Sequence, residues 1–190
     1  MLTAVDDLPA RPARVLVAGT SGSGKTRLAA LIAAELQVPH VEIDALFHGP
    51  GWTPRPSFEA DVHRFAAGSG WVTEWQYGQV RAALAARADL VVWLDLPRTT
   101  VLRQVALRTL GRRLRRTALW NGNVEPPLWT FLTDRDHIVR WAWRTHPRTA
   151  ARVQELTGQR PELPIVRLRS RREVRAWVAG PLSRAAAARL

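Results

Sequence analysis

The chain has 190 residues, 46% of them apolar, enough to enclose the core of one domain and too few for two full ones. It carries 28 Lys and Arg against 16 Asp and Glu, for a net charge of +12, and no cysteine, which excludes disulfides, thiolate metal sites and cysteine nucleophiles. No stretch approaches the roughly 18 uninterrupted apolar residues of a membrane span, and residues 1–14 lack the apolar run of a signal peptide, so a cytoplasmic protein without a membrane partner is expected.

Residues 14–19 form a short apolar run ending at glycine, the pattern of a buried strand. A Gly/Ser-rich turn follows, then a helix over Thr26 to Gln37, in which Leu28, Leu31, Ile32 and Leu36 recur at helical spacing and which Pro39 stops. A second strand is expected over Val41 to Ile43, ending at Asp44, before a loop through His48, Trp52 and Pro56. Ser57 can cap a helix with Phe58, Val62, Phe65 and Ala66 on one face, and Gly68 ends it. Trp71 to Glu74 reads as a third strand, Gly78 to Arg87 as a helix, and the apolar run Leu90 to Leu94, between Asp89 and Asp95, as a fourth strand.

A long helix from about Thr100 places Val101, Val105, Leu107, Leu110 and Leu114 in register. Residues 117–133, with Asn121, Gly122, Asn123, Pro126 and Pro127, read as loop. Thr133 and Asp136 signal the cap of a helix running to about Gln154. Pro164 to Leu168 is a fifth strand, and Ser170 with Glu173 opens a last helix expected to end near Gly180 and Pro181. Strands alternate with helices throughout, which implies a parallel sheet between helical layers in one domain over 13–180, with a C-terminal tail over 181–190 in which Ala185 to Ala188 read as a frayed helix.

Gly19-Thr20-Ser21-Gly22-Ser23-Gly24-Lys25-Thr26 matches the phosphate-loop pattern, and it lies between an apolar strand and a helix. Its glycines let backbone amides curl around a phosphate, to which the helix N-terminus adds positive potential. Lys25 would bridge the β- and γ-phosphates, and the Thr26 hydroxyl would ligate magnesium. Lys25 is also the only lysine among the 28 basic residues. ATP and Mg2+ are therefore the expected nucleotide and metal.

Three acids stand at carboxyl ends of strands, where open α/β sheets hold their ligands: Asp44, Glu74 and Asp95. One would serve the metal and another a hydroxyl proton, and spacing alone leaves their roles open. Arg108, Arg112, Arg115 and Arg116 share one helical face, and Arg140, Arg144 and Arg148 form a second stripe. Two such faces joined by a loop suit a lid that neutralises a transferring phosphoryl group; solvated surface is the rival reading. Trp52 and Trp120 could stack on a base or cover the site, whereas His48 is expected to be solvated.

These pieces resemble the adenylate-kinase-related P-loop kinases, including shikimate- and gluconate-kinase-like folds, and within them the topology-modulation-like kinases. The resemblance rests on Gly19 to Thr26, Ile43-Asp44 with Pro50-Gly51-Trp52, Trp71-Val72, Leu94 to Pro97 and Leu119 to Asn123. Arg108-Thr-Leu-Gly-Arg112-Arg113 is similar to the lid entry of adenylate kinases. It implies a P-loop NTPase three-layer sandwich, a five-stranded parallel sheet of order 2-3-1-4-5, and a helical lid over 108–134. That order favours Glu74 and Asp95 on the magnesium side with Thr26, and leaves Asp44 at the acceptor. Lys25, Asp44, Arg108, Arg112, Arg140 and Arg144 would be the catalytic set. Where relatives often carry Asp-Gly-Asn-Tyr, this chain has Glu74-Trp75-Gln76-Tyr77. The expected activity is transfer of the γ-phosphoryl group of Mg·ATP to a small unidentified acceptor, a nucleotide or a hydroxylated metabolite. The alternative is a nucleic-acid-associated ATPase or polynucleotide kinase that uses the arginine-rich faces.

Overall fold

The computed structural model describes residues 1–105 and 138–188, with side chains from 148 onward in the second part. Five strands form one parallel sheet of order β2-β3-β1-β4-β5: β1 Arg14–Gly19, β2 His40–Val41, β3 Trp71–Glu74, β4 Leu90–Leu94 and β5 Ile165–Leu168. β1 is central, with Val17 opposite Glu74 on one side and Gly19 opposite Leu94 on the other.

Side-chain alternation along the strands divides the interior into two cores. Leu16, Ala18, Val91, Trp93 and Ile165 pack against α3 (Phe58–Ala66), α4 (Gly78–Arg87) and α6 (Ile138–Gln159). Val15, Val17, Val72, Val92, Val166 and Leu168 face α1 (Lys25–Leu36) and the C-terminal residues Trp177 and Leu182. A helix over 98–105, here α5, adds a small third cluster through Leu96, Val101 and Val105. The expected three-layer α/β sandwich and its strand order are thus present.

The starts of β1 and β4 are tied together by Asp89. Its carboxylate takes the amides of Ala13 and Arg14 at 3.2 and 2.9 Å and the Arg14 guanidinium at 2.7 Å. Burial pushes this carboxyl up, but the side chain and amide of Arg14 outweigh it and hold it below its ordinary value. A depressed folded-state pKa stabilises above the unfolded value and is lost as pH falls through the folded one. Asp89→Asn is expected to cost about 1–2 kcal/mol at neutral pH, allowing for partial exposure. In urea titrations the gap from wild type should begin to close as pH falls below the ordinary carboxylate value of about 4 and be lost through the lower folded-state value.

Two stretches depart from expectation. β2 ends at Val41, because the Ile43 amide turns to the Glu74 carboxylate at 3.2 Å instead of extending the ladder. Ile43–Phe47 then forms the short helix α2, so Asp44 stands in a helical first turn rather than at a strand end. At the C-terminus, Pro181 does not stop the helix. After α7 (Arg171–Trp177) the chain widens into a π-helical turn over Val178–Leu182 and continues as α8, Ser183–Ala187. The wider turn accommodates a residue with no N–H, and the Ser183 hydroxyl lies 2.9 Å from the Val178 carbonyl. Leu182 is fully buried, so this part of the C-terminal tail belongs to the core.

Outside the sheet proper, Leu2 pairs with Val166, its amide donating to the Ile165 carbonyl and its carbonyl accepting from Arg167. The lid interval 108–134 and the helix start at Thr133 lie outside the described residues.

Candidate phosphate-loop site

β1 delivers the chain to Gly19, and α1 begins six residues later at Lys25. The turn between them needs two left-handed residues, and glycine supplies both: Gly22 at φ 79° and Gly24 at φ 97°. No side chain caps α1 and no acid occupies its first turn, so its leading amides and dipole face an anion without competition. Lys25 is buried, with Nζ donating to the Thr20 carbonyl at 3.0 Å. The Ser23 hydroxyl is buried with no hydrogen-bond partner among the described residues.

Gly22 carries a second constraint. A Cβ added there would lie 2.1 Å from Cγ2 of Val105, the buried residue through which α5 presses on the loop. At Gly24 an added Cβ meets nothing within 4 Å. Gly22→Ala therefore combines left-handed strain with overpacking, at a cost of about 2–5 kcal/mol, whereas Gly24→Ala carries the strain alone. Urea unfolding of the two variants should rank them in that order.

Glu74 ends β3 beside the loop and is 2% exposed. Burial pushes its carboxyl up, but His40, the Ile43 amide and the Thr26 hydroxyl hydrogen-bond to it, and together they hold it below its ordinary range. His40 Nε2 lies 3.4 Å from Oε1. The structure thus places the Thr26 hydroxyl beside a buried, ionised Glu74, hard oxygen donors of the type magnesium takes.

Asp95 is placed differently. β4 lies on the side of β1 opposite to β3, and the Asp95 carboxylate is engaged by Arg167, whose Nε lies 2.8 Å away. The same guanidinium covers the Trp93 ring at 4.7 Å. The structure does not bring Asp95 into the Thr26–Glu74 pair.

Asp44 lies in a separate polar cluster. Tyr77 donates its hydroxyl to Oδ1 at 2.6 Å and Gln76 its amide to the same oxygen at 3.0 Å, while Oδ2 has no bond among the described residues. His48 Nε2 stands 3.3 Å from the Tyr77 oxygen. Burial, then the charges of Asp44 and Glu74, push the Tyr77 phenol far above its ordinary value, so it stays a donor. Its ring stacks on Phe47 with centroids 4.1 Å apart. Trp75 turns its indole N–H to the Arg81 carbonyl and packs against the core, so its bulk is absorbed by the fold. Trp52 packs edge-on against His48, and His48 is half-buried, not solvated as expected.

Gln76, Tyr77 and His40 are the site residues that sequence reasoning passed over; the run Glu74–Tyr77 at a strand end was the available signal. Arg108, Arg112 and Trp120 lie outside the described residues. Arg140 and Arg144 fall on the backbone of α6, with their side chains outside.

Comparison with known proteins gives a family-model match to the Zeta toxin family over residues 3–45, the span holding β1, the phosphate loop, α1 and Asp44. No curated protein matches. Among solved structures, a gluconokinase from Sinorhizobium meliloti 1021 aligns at TM-score 0.50 and 21% identity, covering 93% of this chain and 95% of that one. A sugar kinase from Janibacter sp. HTCC2649 aligns at TM-score 0.45 and 21% identity over 90% and 91% of the two chains. A shikimate kinase from Bacteroides thetaiotaomicron aligns at 0.46 and 15% over 88% and 95%. What the likeness to the gluconokinase shows is the fold, which in this chain is a five-stranded parallel sheet with a phosphate-loop sequence leading from its central strand into a helix.

Proposed function

We propose that this protein is a P-loop phosphotransferase that moves the γ-phosphoryl group of ATP to a small hydroxylated acceptor. The observation that carries the reading is the phosphate loop with buried Lys25, and Thr26 beside the buried carboxylate of Glu74. Its own residue pattern supports the adenylate-kinase-related kinases, and within them the topology-modulation-like group, as the relatives to test first. A cytoplasmic setting, where ATP is abundant, belongs to the same reading.

The loop amides, the α1 N-terminus and Lys25 would hold the β- and γ-phosphates. Thr26 and Glu74 would hold magnesium, which when bound screens phosphate charge. In the transfer, the acceptor oxygen bonds to the γ-phosphorus as the bond from that phosphorus to the β–γ bridging oxygen breaks, releasing ADP. The hydroxyl proton passes to Asp44 Oδ2, with Tyr77 and Gln76 fixing the carboxylate through Oδ1. Arg108, Arg112, Arg140 and Arg144 are proposed to steady the charge of the transferring group, and Asp95 to act through its ion pair with Arg167 rather than through the metal.

The test is ADP formation from Mg·ATP with nucleoside monophosphates, polyols, sugar acids and 5′-hydroxyl oligonucleotides as acceptors. Turnover raised by one small acceptor supports the proposal. Turnover raised only by oligonucleotides would replace it with the polynucleotide reading, and none with any acceptor would overturn it. The nucleic-acid alternative would use the basic residues of a helix expected over 98–116 together with Arg167, Arg169, Arg171, Arg172 and Arg175. Of these, Arg167 is committed to Asp95 and Trp93, and the helix beyond 105 lies outside the described residues.

A further inference from the structure

The Tyr77 hydroxyl sits between two side chains of α2 that lie one helical turn apart. Asp44 stands in the first turn, and His48 caps the far end, its amide donating to the Asp44 carbonyl at 3.0 Å. Residues four apart share a helix face, and both reach the same phenol oxygen, Asp44 Oδ1 at 2.6 Å and His48 Nε2 at 3.3 Å. The loop that follows His48 is closed on itself. The Gly49 amide donates to the Thr53 carbonyl at 2.7 Å, and the Arg55 amide to the Phe47 carbonyl at 2.8 Å. Tyr77 has φ 55° and ψ 112°, a conformation that side-chain-bearing residues rarely adopt. Such strain persists only where the surroundings over-determine it, and here it carries the sole tyrosine of the sequence to Asp44.

A phenol has one proton to give. A carboxylate only accepts, so the 2.6 Å bond to Asp44 takes that proton. With its proton committed, the Tyr77 oxygen can only accept from Nε2, which fixes the nitrogen on which His48 carries hydrogen. A hydroxyl that accepts while it donates is polarised, and the bond it donates strengthens. Oδ1 of Asp44 is therefore held by a reinforced phenol bond and by the Gln76 amide at 3.0 Å, while Oδ2 faces neither.

We propose that His48 is a positioning residue for phosphoryl transfer: by donating through Nε2 to Tyr77, it fixes Asp44 with Oδ2 as the oxygen that receives the acceptor's proton. The role in transfer rests on the kinase reading; the direction of the hydrogen bonds does not.

Two-bond 15N–1H correlation spectra of the labelled protein, with His48→Gln to assign the signal, read that direction without any substrate. Nε2 of His48 should be protonated. An unprotonated Nε2 would mean that Tyr77 donates to His48 instead of Asp44, and would overturn the proposal. Kinetics then use the small acceptor that most raises ADP formation, with rates taken per folded protein from urea midpoints measured alongside. His48→Ala should lower kcat about tenfold, as loss of one hydrogen bond does, and change KM for the acceptor by less than about twofold. His48→Gln, whose amide N–H can stand in for Nε2–H, should recover most of kcat. Tyr77→Phe should lower kcat by itself, and adding His48→Ala to it should cost nothing more, because the intermediary is gone. An unchanged kcat in His48→Ala, no recovery in His48→Gln, or additive losses in the double variant overturns the role and keeps the kinase. A wild type inert toward every acceptor removes the kinase reading and the positioning role together, whichever nitrogen of His48 is protonated.

Discussion

Lys25→Ala is expected to lower acceptor-dependent phosphoryl transfer by about 10³-fold or more, equivalent to roughly 4 kcal/mol of transition-state stabilisation. The ammonium is buried at the start of α1, within the helix-end field that favours phosphate, and it bonds the Thr20 carbonyl of the same loop. In that setting a positive charge acts through low dielectric and is already positioned when negative charge shifts toward the leaving oxygen. The fold should survive the change, because alanine suits a helix start and the buried charge that goes had its own desolvation cost. Unfolding midpoints near that of wild type, beside the collapse in kcat, would show that the loss is chemical. Lys25→Arg should recover little, since a planar guanidinium does not replace a compact ammonium within so tight a loop. Activity in Lys25→Ala within tenfold of wild type would remove the loop from the mechanism.

The second large effect is expected at Glu74. Glu74→Gln keeps the shape of the side chain and its acceptor oxygen for the Ile43 amide, but removes the charge beside the Thr26 hydroxyl. Metal-side partners of this kind change metal affinity by about 10–100-fold when altered. The Mg2+ concentration for half-maximal rate should rise by that factor, and kcat at saturating metal should fall further. Glu74→Asp retains the charge with a shorter reach and should lie between. If the Mg2+ dependence of Glu74→Gln overlays that of wild type, Glu74 is a structural carboxylate that joins β3 to α2 and nothing more.

Much of this fold could be read before any coordinates, and the reason is local. The boundaries of β1, β3 and β4 follow from apolar runs closed by Gly19, Glu74 and Asp95, and Gly78 opens α4, signals contained within a few residues. The phosphate loop is legible for the same cause: its glycines, lysine and threonine are contiguous. What escaped was set by partners far away in sequence. β2 is cut short because the Ile43 amide finds the carboxylate of Glu74, 31 residues on. Asp44 acquires its surroundings from Gln76 and Tyr77, 32 and 33 residues on. Asp95 is drawn to Arg167, 72 residues later, so a strand-end acid that looked equivalent to Glu74 has a different neighbour.

The margins of the sheet have a consequence for how the protein behaves at high concentration. An open parallel sheet ends in two rows of backbone groups that could template pairing with another molecule. Here one margin, β2, is two residues long. At the other, the Ile165 carbonyl and the Arg167 amide of β5 are already taken by Leu2. Few rungs are left for a foreign strand to join, so molecule-to-molecule ladder growth has little to start from while the native state persists.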